Sequence, residues 1–83
     1  MLSGVEEFDF RDEHYRINVL AEDADVFMTT TSDREAGTQV GGYTRQIGKG
    51  RLCVLTPGHN CAVLLNPQFA RMICNALDWC AGK

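Results

Sequence analysis

Residues 48–60 read GKGRLCVLTPGHN, and the fold turns on this stretch. Within it Leu52, Cys53, Val54 and Leu55 are apolar in succession, without the polar alternation of a strand wetted on one face. Such a run predicts a strand covered on both sides, as in layered α/β sheets. Pro57 and Gly58 then break the strand and deliver His59 ahead of a helix. Open α/β sheets keep ligand sites just beyond the carboxyl ends of their strands, so His59 is the first candidate for a functional side chain.

Working toward the N-terminus, Gly48, Lys49 and Gly50 can supply the positive φ of a tight turn, so 39–47 and 51–56 should pair antiparallel. Gly41 and Gly42 mark the first of these strands as weakened, or bulged where a backbone or ligand comes close. The Gly-Lys pair is not a phosphate loop, because the longer glycine-rich run and a following Ser or Thr are missing. Val26 to Thr31 is rich in β-branched and aromatic residues and predicts another strand, followed by a polar loop over Ser32 to Thr38. Glu13 to Val19 alternates, with Tyr15, Ile17 and Val19 on one side and His14, Arg16 and Asn18 on the other, which predicts a half-buried strand with Tyr15 in the core. Gly4 to Asp12, with Phe8 and Phe10, carries a weaker edge-strand pattern.

Toward the C-terminus, His59 to Leu65 reads as a loop. Asn66 suits an N-cap and Pro67 the first helical position. Phe69, Met72, Ile73, Ala76, Leu77 and Cys80 recur at helical spacing as one apolar stripe, Trp79 falls at its margin, and Gly82 is placed to end the helix. The chain therefore predicts four or five strands followed by a single helix. One helix covers one face of a sheet, so a strand apolar on both sides implies a layer this sequence does not contain. The 83 residues are accordingly expected to be one domain that forms the C-terminal part of a larger α/β domain.

Composition narrows the function classes. Eight Lys and Arg against eleven acids give a net charge of −3, with pI near 5.2, so no basic face is available for nucleic acid or an anionic membrane. The opening MLSGVEEF is not a signal peptide, no apolar run approaches a membrane span, and a cytoplasmic location is expected. Cysteines 53, 61, 74 and 80 form no C-x-x-C pair, and Cys53 and Cys80 read as small core hydrophobes.

The second half of the chain resembles a known family. Tyr43, Thr44 and Arg45, the turn Gly48, Lys49, Gly50, Arg51, the apolar strand, Gly58 and His59, and the helix with Trp79 resemble the C-terminal part of the ThuA-like, or trehalose-utilisation, family. Asp12 to Tyr15 resemble that family's acidic-x-x-Tyr strand. The sequence departs from the pattern at Tyr43, where the family has Trp, and at Asn60, where it has an acid, and it is much shorter than family members. The resemblance implies a flavodoxin-like, class I glutamine amidotransferase-like three-layer fold, with an antiparallel hairpin and one C-terminal helix in this portion. It further implies a role in bacterial disaccharide metabolism, on trehalose or its keto derivatives.

By that resemblance His59 stands where the superfamily keeps the base of a hydrolytic triad. No Gly-x-Cys-x-Gly or Gly-x-Ser-x-Gly elbow accompanies it, so amidotransferase-like hydrolysis ranks below an acid/base or metal-binding role. His14 reads either as an exposed edge residue or as a second imidazole facing the site, where the pair would suit zinc or another divalent ion with further ligands from elsewhere. Asn60 could orient a sugar hydroxyl or cap its loop. Arg45 and Arg51 read as solvated or salt-bridged residues flanking the hairpin. The sequence leaves open whether the chain is an enzyme or a non-catalytic carbohydrate-binding or partner-dependent module. An uncovered apolar sheet face predicts homo-oligomers or docking on the absent N-terminal half.

Overall fold

The computed structural model describes residues 1–34 and 36–82. It is a small mixed α/β fold: a three-stranded antiparallel sheet in the order β1-β2-β3, a short helix and a longer C-terminal helix. β1 spans Asp25–Thr31, β2 Thr38–Ile47 and β3 Gly50–Leu55; α1 is Cys61–Leu64 and α2 Pro67–Cys80.

The hairpin forms where the turn chemistry places it. Ile47 pairs with Gly50 across a two-residue loop of Gly48 and Lys49, and the ladder runs on to Gly42 opposite Leu55. Only the first loop residue has positive φ, the pattern of a type II′ turn matched to strand twist. The β1–β2 ladder is regular at both ends and slips around Phe27 and Met28. The cause is visible at the two glycines of β2. A Cβ on Gly42 would lie 2.7 Å from the Phe27 ring, and one on Gly41 would lie 2.6 Å from Thr30 Cγ2. Side chains of β1 thus lie over bare backbone of β2, which is the close approach that paired glycines permit.

α2 starts as its sequence dictates. The Asn66 side chain accepts hydrogen bonds from the Gln68 and Phe69 amides, and Pro67 needs no partner for its nitrogen. Phe69, Met72 and Ala76 from its inner face are buried, and with Val63 of α1 they make the core. Val5, Phe8, Phe27, Met28, Leu55 and Ile73 pack around it. Each fully buried side chain of this size contributes about 1.5–3 kcal/mol, so a core this small leaves little reserve. Leu77 and Cys80, expected on the buried stripe, are exposed, whereas Phe69, Met72 and Ala76 take the side of α2 that meets the core.

Four expectations need correction. Segments 4–12 and 13–19 form no strand; side-chain bonds rather than a ladder hold this part of the chain. Asn75 Nδ2 donates to the Met1 and Ser3 carbonyls at 2.9 and 2.8 Å, the Glu6 amide donates to Gln68 Oε1, and His14 meets Thr30. Alternation reports which side of a segment is apolar, but it does not supply a partner edge. β3, expected between two layers, is an edge strand with no residue fully buried. Residues 61–64 are helical rather than loop, and Tyr15 is 40% exposed rather than core. Among the described residues, no helix is long and apolar enough to cross a membrane.

The bare backbone of β2 gives a direct test. Gly42→Ala should lower stability by about 1–3 kcal/mol through overpacking against Phe27 and Leu55. A urea midpoint equal to that of the wild type would show that the two strands do not approach this closely.

Candidate functional site

At the end of β3 the chain makes the corner Pro57-Gly58-His59-Asn60. Gly58 takes φ 131°, a conformation side chains rarely adopt. The corner points three successive amides at one place, and the Asp12 carboxylate occupies it. Asp12 Oδ2 accepts from the Gly58 amide at 2.7 Å and the His59 amide at 3.3 Å, and Oδ1 accepts from the Asn60 amide at 2.9 Å. Asn60 adds a fourth bond, its Nδ2 donating to the Arg11 carbonyl at 2.9 Å. Segment 11–15 is thereby fixed onto the β3–α1 corner without forming a strand.

Partial burial pushes the Asp12 carboxyl upward. The amides of Gly58, Asn60, Glu13 and His59 outweigh that, and the net direction is below its ordinary value of 3.8.

This attachment brings two side chains to His59. Its Nδ1 lies 3.4 Å from the Tyr15 hydroxyl and its Nε2 lies 3.5 Å from Glu13 Oε1. All three groups are exposed. The Tyr15 phenol is pushed above its ordinary value of 10.0, first by its hydrogen bond with Glu13, then by desolvation and by the charges of Glu13 and Asp12. His14 points elsewhere: its Nε2 meets Thr30 Oγ1 at 2.9 Å, and its buried Nδ1 has no partner among the described residues. A groove of about 1180 Å³ opens between segment 5–15 and β1, with Phe8, Glu13, His14, Tyr15, Thr30 and Thr56 in its walls. His59 is not among its lining residues.

The sequence candidates therefore separate. His59 stands at the strand end with partners on both ring nitrogens. Asn60 is engaged in holding Arg11 and in opening α1. His14 lines the groove and ties the segment to β1. The two imidazoles are engaged by different partners, and among the described residues no group of three or more His, Cys, Asp or Glu is arranged to hold a metal ion.

Sequence reading missed the part played by Asp12, Glu13 and Tyr15. Their one signal was the acidic-x-x-Tyr pattern, which alternation assigned to a strand. Elsewhere, Arg45 Nε donates to Asp23 at 2.7 Å, while Arg51 lies 5.2 Å over the Trp79 ring and donates to the Trp79 carbonyl at the end of α2. No family profile, curated protein or solved structure matches this chain.

The Asp12 contacts set a pH dependence. Because its folded pKa is depressed, the stabilisation is fully present above the unfolded value near 4 and is lost as pH falls through the lower folded value. Asp12→Asn should cost about 1–2 kcal/mol at pH 6, since a neutral amide accepts more weakly at these three N–H groups. In urea titrations the gap between variant and wild type should close as pH drops below about 4. A gap that stays constant from pH 6 to pH 3 would mean that the carboxylate is not held there.

Proposed function

We propose that this chain is a ThuA-like domain of bacterial carbohydrate metabolism, acting on trehalose-type disaccharides or their keto derivatives with His59 in acid/base chemistry. The sugar assignment rests on the resemblance carried by Tyr43 to Arg51, Gly58, His59 and Trp79. The observation that carries the chemical part is the setting of His59, exposed beyond the end of β3, with Tyr15 and Glu13 on its two ring nitrogens. An imidazole is the side chain best suited to exchange a proton near neutrality, and a flanking carboxylate fixes its orientation. Threonine hydroxyls and a phenyl ring in the adjoining groove supply the mixture of hydrogen-bonding and apolar wall that a sugar requires.

The finer fold assignment belongs to the same proposal. The three-stranded sheet with α2 would be the C-terminal portion of a flavodoxin-like, three-layer domain. The half-buried apolar run of β3 and its outer edge, which bears no strand among the described residues, support it.

The same edge favours a second reading, a module that works when docked on a partner. Among the described residues the outer edge of β3 pairs with no strand, which leaves backbone groups for a partner to meet, and Leu20, Leu65 and Leu77 are 90%, 80% and 66% exposed. Light scattering separates the readings for the isolated chain: the docking reading predicts association, and a monomer across the working concentration range rejects it.

For the leading reading, His59→Ala should abolish turnover of trehalose or its keto derivative while the circular dichroism spectrum stays that of the wild type. Unchanged turnover by the variant rejects His59 as the acid/base group.

A further inference from the structure

We propose that Tyr15, rather than His59, is the group that meets the ligand, and that His59 and Glu13 stand behind it as a proton relay. The inference deepens the proposed function and rests on its reading of the site. Its first support is geometric. Tyr15 and Glu13 line the large groove and His59 does not, so a molecule seated in the groove reaches the phenol before the imidazole. Tyr15 is 40% exposed as a residue.

The second support is that the three groups contact one another, the Tyr15 hydroxyl being shared between Glu13 and the imidazole. Glu13 Oε1 lies 3.5 Å from Nε2 and the Tyr15 hydroxyl 3.4 Å from Nδ1, so the ring is held between a carboxylate and a phenol. When the ring is neutral, an Nε2–H directed at Glu13 leaves the Nδ1 lone pair toward Tyr15. Both distances are long for hydrogen bonds, as catalytic contacts often are before a ligand closes the site. The third support is that Asp12 fixes both halves of the relay at once. Its carboxylate holds the amides of residues 58–60 while its own backbone leads directly into Glu13 and Tyr15.

The proton balance is closed without a further reactant. Toward a ligand carbonyl or leaving oxygen, Tyr15 gives its hydroxyl proton, and the phenol oxygen takes a proton from Nδ1 of the imidazolium. The ring returns to neutral with Nε2–H still facing Glu13. From a ligand hydroxyl the same steps run in reverse, and the proton ends on Nδ1. Glu13 and Asp12 from the segment and His59 from the corner are the charged groups that face the phenol. The two carboxylates disfavour a free phenolate.

The test pairs spectroscopy with turnover in the full chain. Long-range ¹⁵N–¹H correlation of the neutral His59 ring should show the Nε2–H tautomer. The chain has two histidines, so a His14→Gln variant assigns the signals. Tyr15→Phe should move the Nδ1 resonance, and Glu13→Gln should reduce the preference for Nε2–H. With trehalose or its keto derivative, Tyr15→Phe should lower kcat about 100-fold or more with KM little changed.

An Nδ1–H tautomer, or ring signals that neither variant moves, overturns the relay even if no sugar is turned over. An inactive His59→Ala beside a fully active Tyr15→Phe overturns the role of Tyr15 and leaves the site reading standing. Full activity in both variants rejects the site reading itself.

Discussion

One carboxylate and three backbone amides organise the end of this molecule that carries the candidate site. Without Asp12 the corner after β3 would lose the partner of three N–H groups, and the acidic segment before β1 would keep only the Asn60 bond to the Arg11 carbonyl and the longer contacts of Glu13 and Tyr15 with His59. The corner exists because Gly58 accepts a backbone angle closed to other residues, so that Gly58, His59 and Asn60 direct their amides to one point. Charge-assisted bonds of this kind are about twice as strong as neutral ones, which suits a contact joining residues 46 to 48 positions apart.

Everything proposed for the site follows from that attachment. Glu13 and Tyr15 approach His59 because they follow Asp12 directly, Glu13 coming to Nε2 and the Tyr15 hydroxyl to Nδ1. His14, between them, reaches Thr30 of β1. A single anchoring residue therefore sorts its three successors between the imidazole and the sheet. The groove between segment and sheet is a consequence of the same path, since the segment touches β1 through His14 rather than through a hydrogen-bonded ladder.

Much of the fold was legible in the chain. The hairpin could be read from Gly48 and its neighbours, α2 from Asn66, Pro67 and the spacing of Phe69, Met72 and Ala76, and the close approach at β2 from its paired glycines. These signals are local: each depends on a backbone angle, a cap or a period within a few residues. What misled was the inference from local pattern to neighbours. The alternation of Tyr15, Ile17 and Val19 was compatible with a strand, yet no edge receives it. The unbroken run Leu52 to Leu55 suggested cover on both faces, whereas α2 packs against an edge strand none of whose residues is fully buried.

The site was legible to the same extent. His59 could be picked out by its place after a strand and a Pro-Gly break. Its partners could not, because Asp12 and the corner meet only in three dimensions, and a carboxylate bonded to backbone leaves no side-chain pattern in the sequence.

The central claim is that the Asp12 carboxylate is seated on the amides of residues 58–60, and an NMR pH titration of those amides tests it most directly. The account predicts that the Gly58 and Asn60 amide protons lie downfield and move together with a single carboxyl titration below pH 4, and that Asp12→Asn abolishes the movement. Amide signals of Gly58 and Asn60 that ignore the Asp12 titration would contradict it.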